Sequence, residues 1–192
     1  MQRNLIAAVL ALAPVVSAAT WTIDSVHSGA QFSVRHMMVS NVRGSFSKIS
    51  GTVDYDPANP ANAKVDATID VNSINTNEPK RDGHLKSPDF FDAEKFPTMR
   101  FVSKRAMPAS PGKLKLLGDL TIHGVTKEVT FDVDGPSPAL KEQNGGFRTG
   151  ASATTKINRK DFGLTWSRAL ETGGAVVGDE VNLTMDVELT RK

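Results

Sequence analysis

The chain reads as all-β: an extended eight-stranded antiparallel β-barrel carrying one or two short helices. Three observations lead there. Apolar and polar residues alternate at period two through most of the 192 residues, the mark of strands with one buried face. Clusters of Gly, Pro, Asn and Asp separate the alternating runs. No segment shows a helical period long enough for a β-α-β unit, so the strands must cover their apolar face with one another, as a closed barrel or a two-sheet sandwich.

The first segment stands outside this pattern. Arg3 gives a basic start, residues 5–16 form an apolar run broken only by Pro14, and Ser17, Ala18 and Ala19 are small residues of the kind a signal peptidase reads. The expectation is a secretory signal peptide over residues 1–19 and a single domain over 20–192. The run is too short for a spanning helix.

The strands follow in order. Ala30, Phe32 and Val34 share one face of residues 28–35. Between Val42 and Tyr55 the phase slips: Val42 and Phe46 are even, whereas Ile49, Val53 and Tyr55 are odd. One flat strand cannot put them all on one side, so a bulge or bend is expected near Ser47 and Lys48. Residues 63–72 alternate without a fault, as do residues 181–190. Met99 and Phe101 open a strand towards Met107, and Leu114, Leu116, Leu120 and Ile122 share a face of residues 113–122. Residues 125–133 alternate with Lys127 as the exception, and residues 147–157 alternate more weakly through Ala151, Ala153 and Thr155. Two short helices are expected, at 78–86 and 167–171.

Composition narrows the function. There is no cysteine and the net charge is +2, with charges interspersed rather than gathered into a basic stripe. This gives no disulfide framework, no thiolate metal site and no nucleic-acid footprint. His27, His36, His84 and His123 lie far apart with no metal-ligand spacing. No nucleophile elbow, zinc-protease or phosphate-loop motif occurs, and Asp82, His84 and Ser87 are only locally spaced. No catalytic residue, metal or cofactor is therefore assigned, and the protein is not read as an enzyme.

Three polar residues interrupt apolar faces. Strict alternation turns Lys127 the same way as Val129 and Phe131, Arg105 with Met99 and Phe101, and His36 with Phe32 and Val34. A buried unpaired charge is costly, so each either lies at a strand end or forms the polar part of a cavity. The long non-strand segment 75–97 joins Arg81, His84 and several acids to Phe90, Phe91 and Phe96. Such a loop suits a lid over a barrel mouth or a plug in one end.

An ordered set of segments carries a resemblance: WTIDSVHS at 21–28, FSVRHMMVSNVRGSF at 32–46, INT at 74–76, RDGHLKSPDFFD at 81–92, Phe96 with Pro97, LTIHGVTK at 120–127 and INRKDFGL at 157–164. Together they resemble the YceI-like family across nearly the whole chain after residue 20. The resemblance implies a lipocalin-like barrel, usually periplasmic, whose apolar channel holds a polyisoprenoid: a polyprenyl phosphate or an isoprenoid quinone.

On that footing the expected wall is Phe32, Val34, Val65, Ala67, Ile69, Val71, Phe101, Leu116, Val129, Phe131, Leu183, Met185 and Val187, with Phe90 and Phe91 from the lid segment. Ala67, Ala151 and Ala153 would leave room for a guest. Lys127 or Arg81 would meet a phosphate head group, and His84 or His36 a quinone carbonyl. The expected partner is an isoprenoid-type lipid; a transient inner-membrane contact and a homodimer are compatible with this reading. Rival readings are another amphiphile, such as a fatty acid, fatty amide or hydrophobic drug, a quinone-linked redox accessory protein, or a filled barrel with a structural role.

Overall fold

The computed structural model describes residues 19–171 and 173–192. The expected signal peptide, apart from Ala19, lies outside the described residues. In chain order the strands are β1 (Ala19–Ile23), β2 (Gly29–His36), β3 (Ser40–Phe46), β4 (Ile49–Tyr55), β5 (Lys64–Asp70) and β6 (Ile74–Asn75). After helix α1 (Pro79–Lys86) come β7 (Thr98–Ser110), β8 (Lys113–Ile122), β9 (Val125–Asp134), β10 (Leu140–Lys141), β11 (Phe147–Asn158) and β12 (Val177–Arg191).

These segments make eight long strands. β1 and β2 form one, bent at residues 24–28; β3 and β4 form the next, bent at Ser47 and Lys48, where the hydrophobic phase slips. Each strand pairs antiparallel with its successor, from β2 with β3 through β11 with β12. The last strand then pairs with the first, β12 lying against both β1 and β2. The result is a closed up-and-down barrel, its ladder narrowest between β9 and β11, which pair only over Asp132–Asp134. The upper end carries the β7–β8 turn at Pro111 and Gly112; the lower end carries α1 and the β2–β3 turn.

Two further departures from flat pairing re-aim side chains. Ser103 opposes Gly118 while Arg105 opposes Leu117, which leaves Lys104 as an extra residue in β7. This bulge turns Arg105 outward and Ala106 inward, so Arg105 is exposed and not, as parity suggested, on the inner face. β5 ends at Asp70, and Val71 begins a one-turn 3-10 helix. The alternation of residues 63–72 thus runs past the strand itself.

The helix expected at 78–86 is present. The Glu78 carboxylate accepts from the Lys80 backbone N–H and Pro79 occupies the first turn, both favoured at a helix start. The helix expected at 167–171 is not. Ala169 instead bridges Ala175, and the Leu170 N–H donates to the Gly174 carbonyl in a turn where Gly173 and Gly174 take positive φ. β1 was not anticipated either; Ala19 through Thr22 pair with Tyr55 through Thr52.

Near the upper end one arginine joins four segments. Arg148 on β11 donates to Asp24 Oδ2 at 2.7 Å, Glu188 Oε2 at 2.5 Å and Glu142 Oε1 at 2.8 Å. The Arg148 guanidinium, with His27 and the Val26 N–H, holds the Asp24 carboxyl well below the usual carboxylate range. A depressed carboxyl contributes stability that is present above its unfolded value, near pH 4, and is lost as pH falls through its folded value. Replacing Arg148 by Met should therefore lower stability at neutral pH. Urea denaturation should show the gap between the two proteins narrowing as pH falls below about 4.

Candidate functional site

The barrel's inner face is not filled. Two chambers lie end to end inside it, an upper and a lower one. They share Ile69, Met99, Leu120 and Met185, which form a waist between them. Two of the four are methionines, whose unbranched side chains adjust readily to a guest.

The upper chamber is walled by Val65, Ala67, Phe101, Leu116, Phe131 and Val187, with Val53, Val133, Ala151, Ala153 and Leu189 completing it. Phe101 can lie across the sheet because the diagonal inner position on β8, two residues from the Leu120 it opposes, is Gly118; a Cβ there would stand 2.6 Å from the ring. The lower chamber is more aromatic: Phe32, Phe46, Phe90, Phe91 and Phe162 line it with Val34, Leu164 and Leu183. Gly44 has the same function for Phe32, since a Cβ there would stand 2.5 Å from the ring. The lid segment closes this end: Phe91 meets Phe46 edge-on at 5.8 Å, and Leu85 and Phe90 face the same space.

Of the expected wall, Phe32, Val34, Val65, Ala67, Ile69, Phe90, Phe91, Phe101, Leu116, Phe131, Leu183, Met185 and Val187 all line a chamber. Val71 and Val129 do not. Val71 is buried in the turn after β5, and Val129 packs half-buried against the core.

The four expected head-group residues also lie off the chambers. Lys127 has inner-face parity opposite Leu120, yet it is exposed. β9 bonds to β11 only at Asp132–Asp134; beyond that the strands part, and the turn Arg159–Phe162 packs against β9. Lys127 lies along this parted stretch, not over the lumen. His36 is the last residue of β2, opposite Ser40. Arg81 is engaged with Thr76, donating to its Oγ1 and its carbonyl at 2.8 Å each, while Thr76 donates to Asp82. His84 bonds Asp89 at 2.7 Å and stands edge-on to Phe90 and Trp166. Arg81 and His84 are thus each held by local structure.

Sequence reading assigned no role to Arg159, although it was part of a quoted motif. It is a buried charge, 5 % exposed, at the wall of the lower chamber. Its Nε donates to Gly178 O at 2.8 Å and Nη1 to the carbonyls of Leu164 and Trp166; Nη2 reaches Val177 O and Asp179 Oδ1 at 3.2 and 3.3 Å. All five donors of the guanidinium are thus used. Burial lowers its pKa, opposed by the charge of Asp179. Arg159 seals the wall where β9 and β11 part, and it has no donor left for a guest.

A YceI-like domain profile matches residues 21–189. A UPF0312 protein of Staphylococcus aureus is 39% identical over 170 residues, covering 88% of this chain and 96% of that protein. Among solved structures, Burkholderia cenocepacia BcnA superposes with a TM-score of 0.74 at 26% identity, covering 88% of this chain and 99% of BcnA. The Campylobacter jejuni YCEI protein gives 0.69 at 36% identity over 82% of this chain and 90% of that one. A polyisoprenoid binding domain from Saccharophagus degradans shares the fold, with a TM-score of 0.64 at 15% identity over 90% of this chain and 98% of that one.

Replacing Arg159 by Leu would leave four backbone carbonyls and Asp179 without this donor. The expected cost is about 3–5 kcal/mol, the scale for removing one partner from a buried charged network. Urea denaturation measures the loss, and limited proteolysis should find the segment 163–176 opened first.

Proposed function

The chain belongs to the YceI-like family, and from that premise we propose that it is an exported, periplasmic lipid-binding protein that holds a polyisoprenoid in its barrel. The observation that carries this reading is the lumen: two adjoining chambers with hydrocarbon walls, inside a closed sheet of a length to hold an extended tail. The isoprenoid class rests on the sequence resemblance and on the shared fold of the Saccharophagus degradans polyisoprenoid binding domain; the walls themselves favour any long apolar chain.

Binding is driven by apolar carbon leaving water. At about 0.8 kcal/mol per buried CH₂, each five-carbon unit contributes roughly 3–4 kcal/mol gross, so a few units exceed the ordering costs of association. The protein's work is to shelter the tail, not to transform it, which suits transport, storage or sequestration.

The space beside Ala67 and Ala151 in the upper chamber gives the test. Phe at either position should weaken uptake of an isoprenoid probe by about tenfold or more, the scale of 1–2 kcal/mol of lost burial. The thermal midpoint should stay near that of the parent, because the new ring enters existing space. Unchanged uptake in both variants would place the guest elsewhere. Native mass spectrometry of the protein from its own host should show an added mass that organic solvent removes.

A further inference from the structure

Large apolar side chains are scarce on the outside of the barrel, and half of them sit together. Of the six that are exposed among the described residues, three are consecutive: Met37, Met38 and Val39, at 45, 55 and 77 % exposure, on the tip of the β2–β3 turn. The turn is costly as well as exposed. The Val39 N–H donates to the His36 carbonyl at 3.0 Å, and Met37 and Met38 between them take positive φ, 47° and 61°. Tight hairpins that need this conformation twice favour Asn and Gly, which adopt it at least cost. Two methionines here add backbone strain and leave hydrocarbon in water, so folding alone does not account for them.

Cations surround the tip. Arg35 follows the chamber-lining Val34, and Arg43 follows the Val42 paired with it, so both arginines face outward, and both are exposed. The Arg35 Nη2 donates to the Met38 carbonyl at 2.8 Å. A second turn lies against the first. The Met37 N–H donates to the Val176 carbonyl at 2.8 Å, and the Val176 N–H to the carbonyl of exposed Arg168 at 2.9 Å. The carboxylates at the start of β12 are taken: Asp179 by Arg159 and Lys160, Glu180 by Lys156. Glu171 is the one carboxylate on the two turns, and among the described residues Arg35, Arg43 and Arg168 form no ion pair.

We propose that this tip docks on an anionic membrane surface: Met37, Met38 and Val39 enter the interfacial layer of the bilayer while Arg35, Arg43 and Arg168 meet lipid phosphates. A hairpin tip offers no concave wall for a protein partner to fill. A fluid bilayer takes flexible methionine side chains without a matching shape. Arginine offers a phosphate two parallel N–H groups and lays its stem along the apolar layer. Such contact is peripheral and weakens with salt. It goes beyond the carrier reading and does not depend on what the lumen holds.

Flotation with phosphatidylethanolamine–phosphatidylglycerol vesicles tests this, with phosphatidylcholine vesicles alongside. At about 1 mM lipid, roughly ten times the half-saturation of a single acyl anchor, the parent should float with the anionic vesicles. It should bind the neutral ones at least about tenfold more weakly. Met37→Asn combined with Met38→Gly gives the turn its favoured residues. That variant should melt no lower than the parent while losing about tenfold or more of its binding. Arg43→Gln and Arg168→Gln should each lose about fivefold, the scale for one basic residue at an anionic surface. Val26→Asn, at an apolar residue 82 % exposed outside the tip, should change nothing. No flotation of the parent, equal binding to neutral vesicles, or full binding by the double variant would each overturn the proposal. So would a parent dimer, seen by sedimentation velocity, that the double variant dissolves, since a second copy would then cover the tip. Isoprenoid uptake is read without a bilayer, so any of these failures leaves the carrier reading standing.

Discussion

A tunnel of hydrocarbon survives in water only if the wall around it does not need the interior to be filled. Most folded proteins gain their stability from a close-packed core. Here two chambers interrupt that core, and the closed ladder of strand pairing takes over part of its function. Because β12 returns to β1 and β2, the backbone donors and acceptors of the main strands find partners in their neighbours, save along the stretch where β9 and β11 part. Collapse of the lumen would have to break such bonds within low-dielectric surroundings, where unmade hydrogen bonds are costly. Fully buried groups such as Leu189, at 1 % exposure, and Phe162, at 2 %, then anchor the wall beside the space without occupying it.

Length is the second requirement, and bends supply it. The joints at residues 24–28 and at Ser47 and Lys48 let the first two strands change direction, so that β1 pairs with β4 above and β2 with β3 below. β12 accompanies both halves of the bent first strand. Two chambers, not one, follow from this course, and the waist stands where they meet. The joint that the hydrophobic phase betrays, a slip from even to odd positions, is therefore what lengthens the lumen.

Much of this was readable in the sequence because water and hydrocarbon meet on opposite sides of one sheet. That contrast writes period two into β5, β8, β9 and β12, and it identified most of the chamber walls. It is silent where side-chain direction and surroundings come apart. Parity says which side of the sheet Lys127 is on, but not that β9 and β11 have parted there. Parity fails at Arg105, where one extra residue resets it, and at Val71, where the alternation continues into a turn. β1 escapes the pattern because five residues give too short a run to display a period. The partners of Arg159 come from residues 164–179, so nothing local announces that this charge is satisfied. Gly44 acts through the ring directly opposite it and Gly118 through one diagonal to it, which only the register reveals.

The polar groups decide the tunnel's direction more than the apolar ones do. Hydrocarbon walls are indifferent to which end of an amphiphile they hold, since dispersion and the hydrophobic effect carry no orientation. Direction comes from the few groups that can still form a hydrogen bond. A charge at a cavity wall is usually taken as a hook for an opposite charge, and Arg159 has the position for it. Its five bonds remove that capacity: a guest anion would have to displace carbonyls whose own satisfaction depends on the arginine. Arg159 therefore makes the lower end dry and sealed while contributing no affinity of its own.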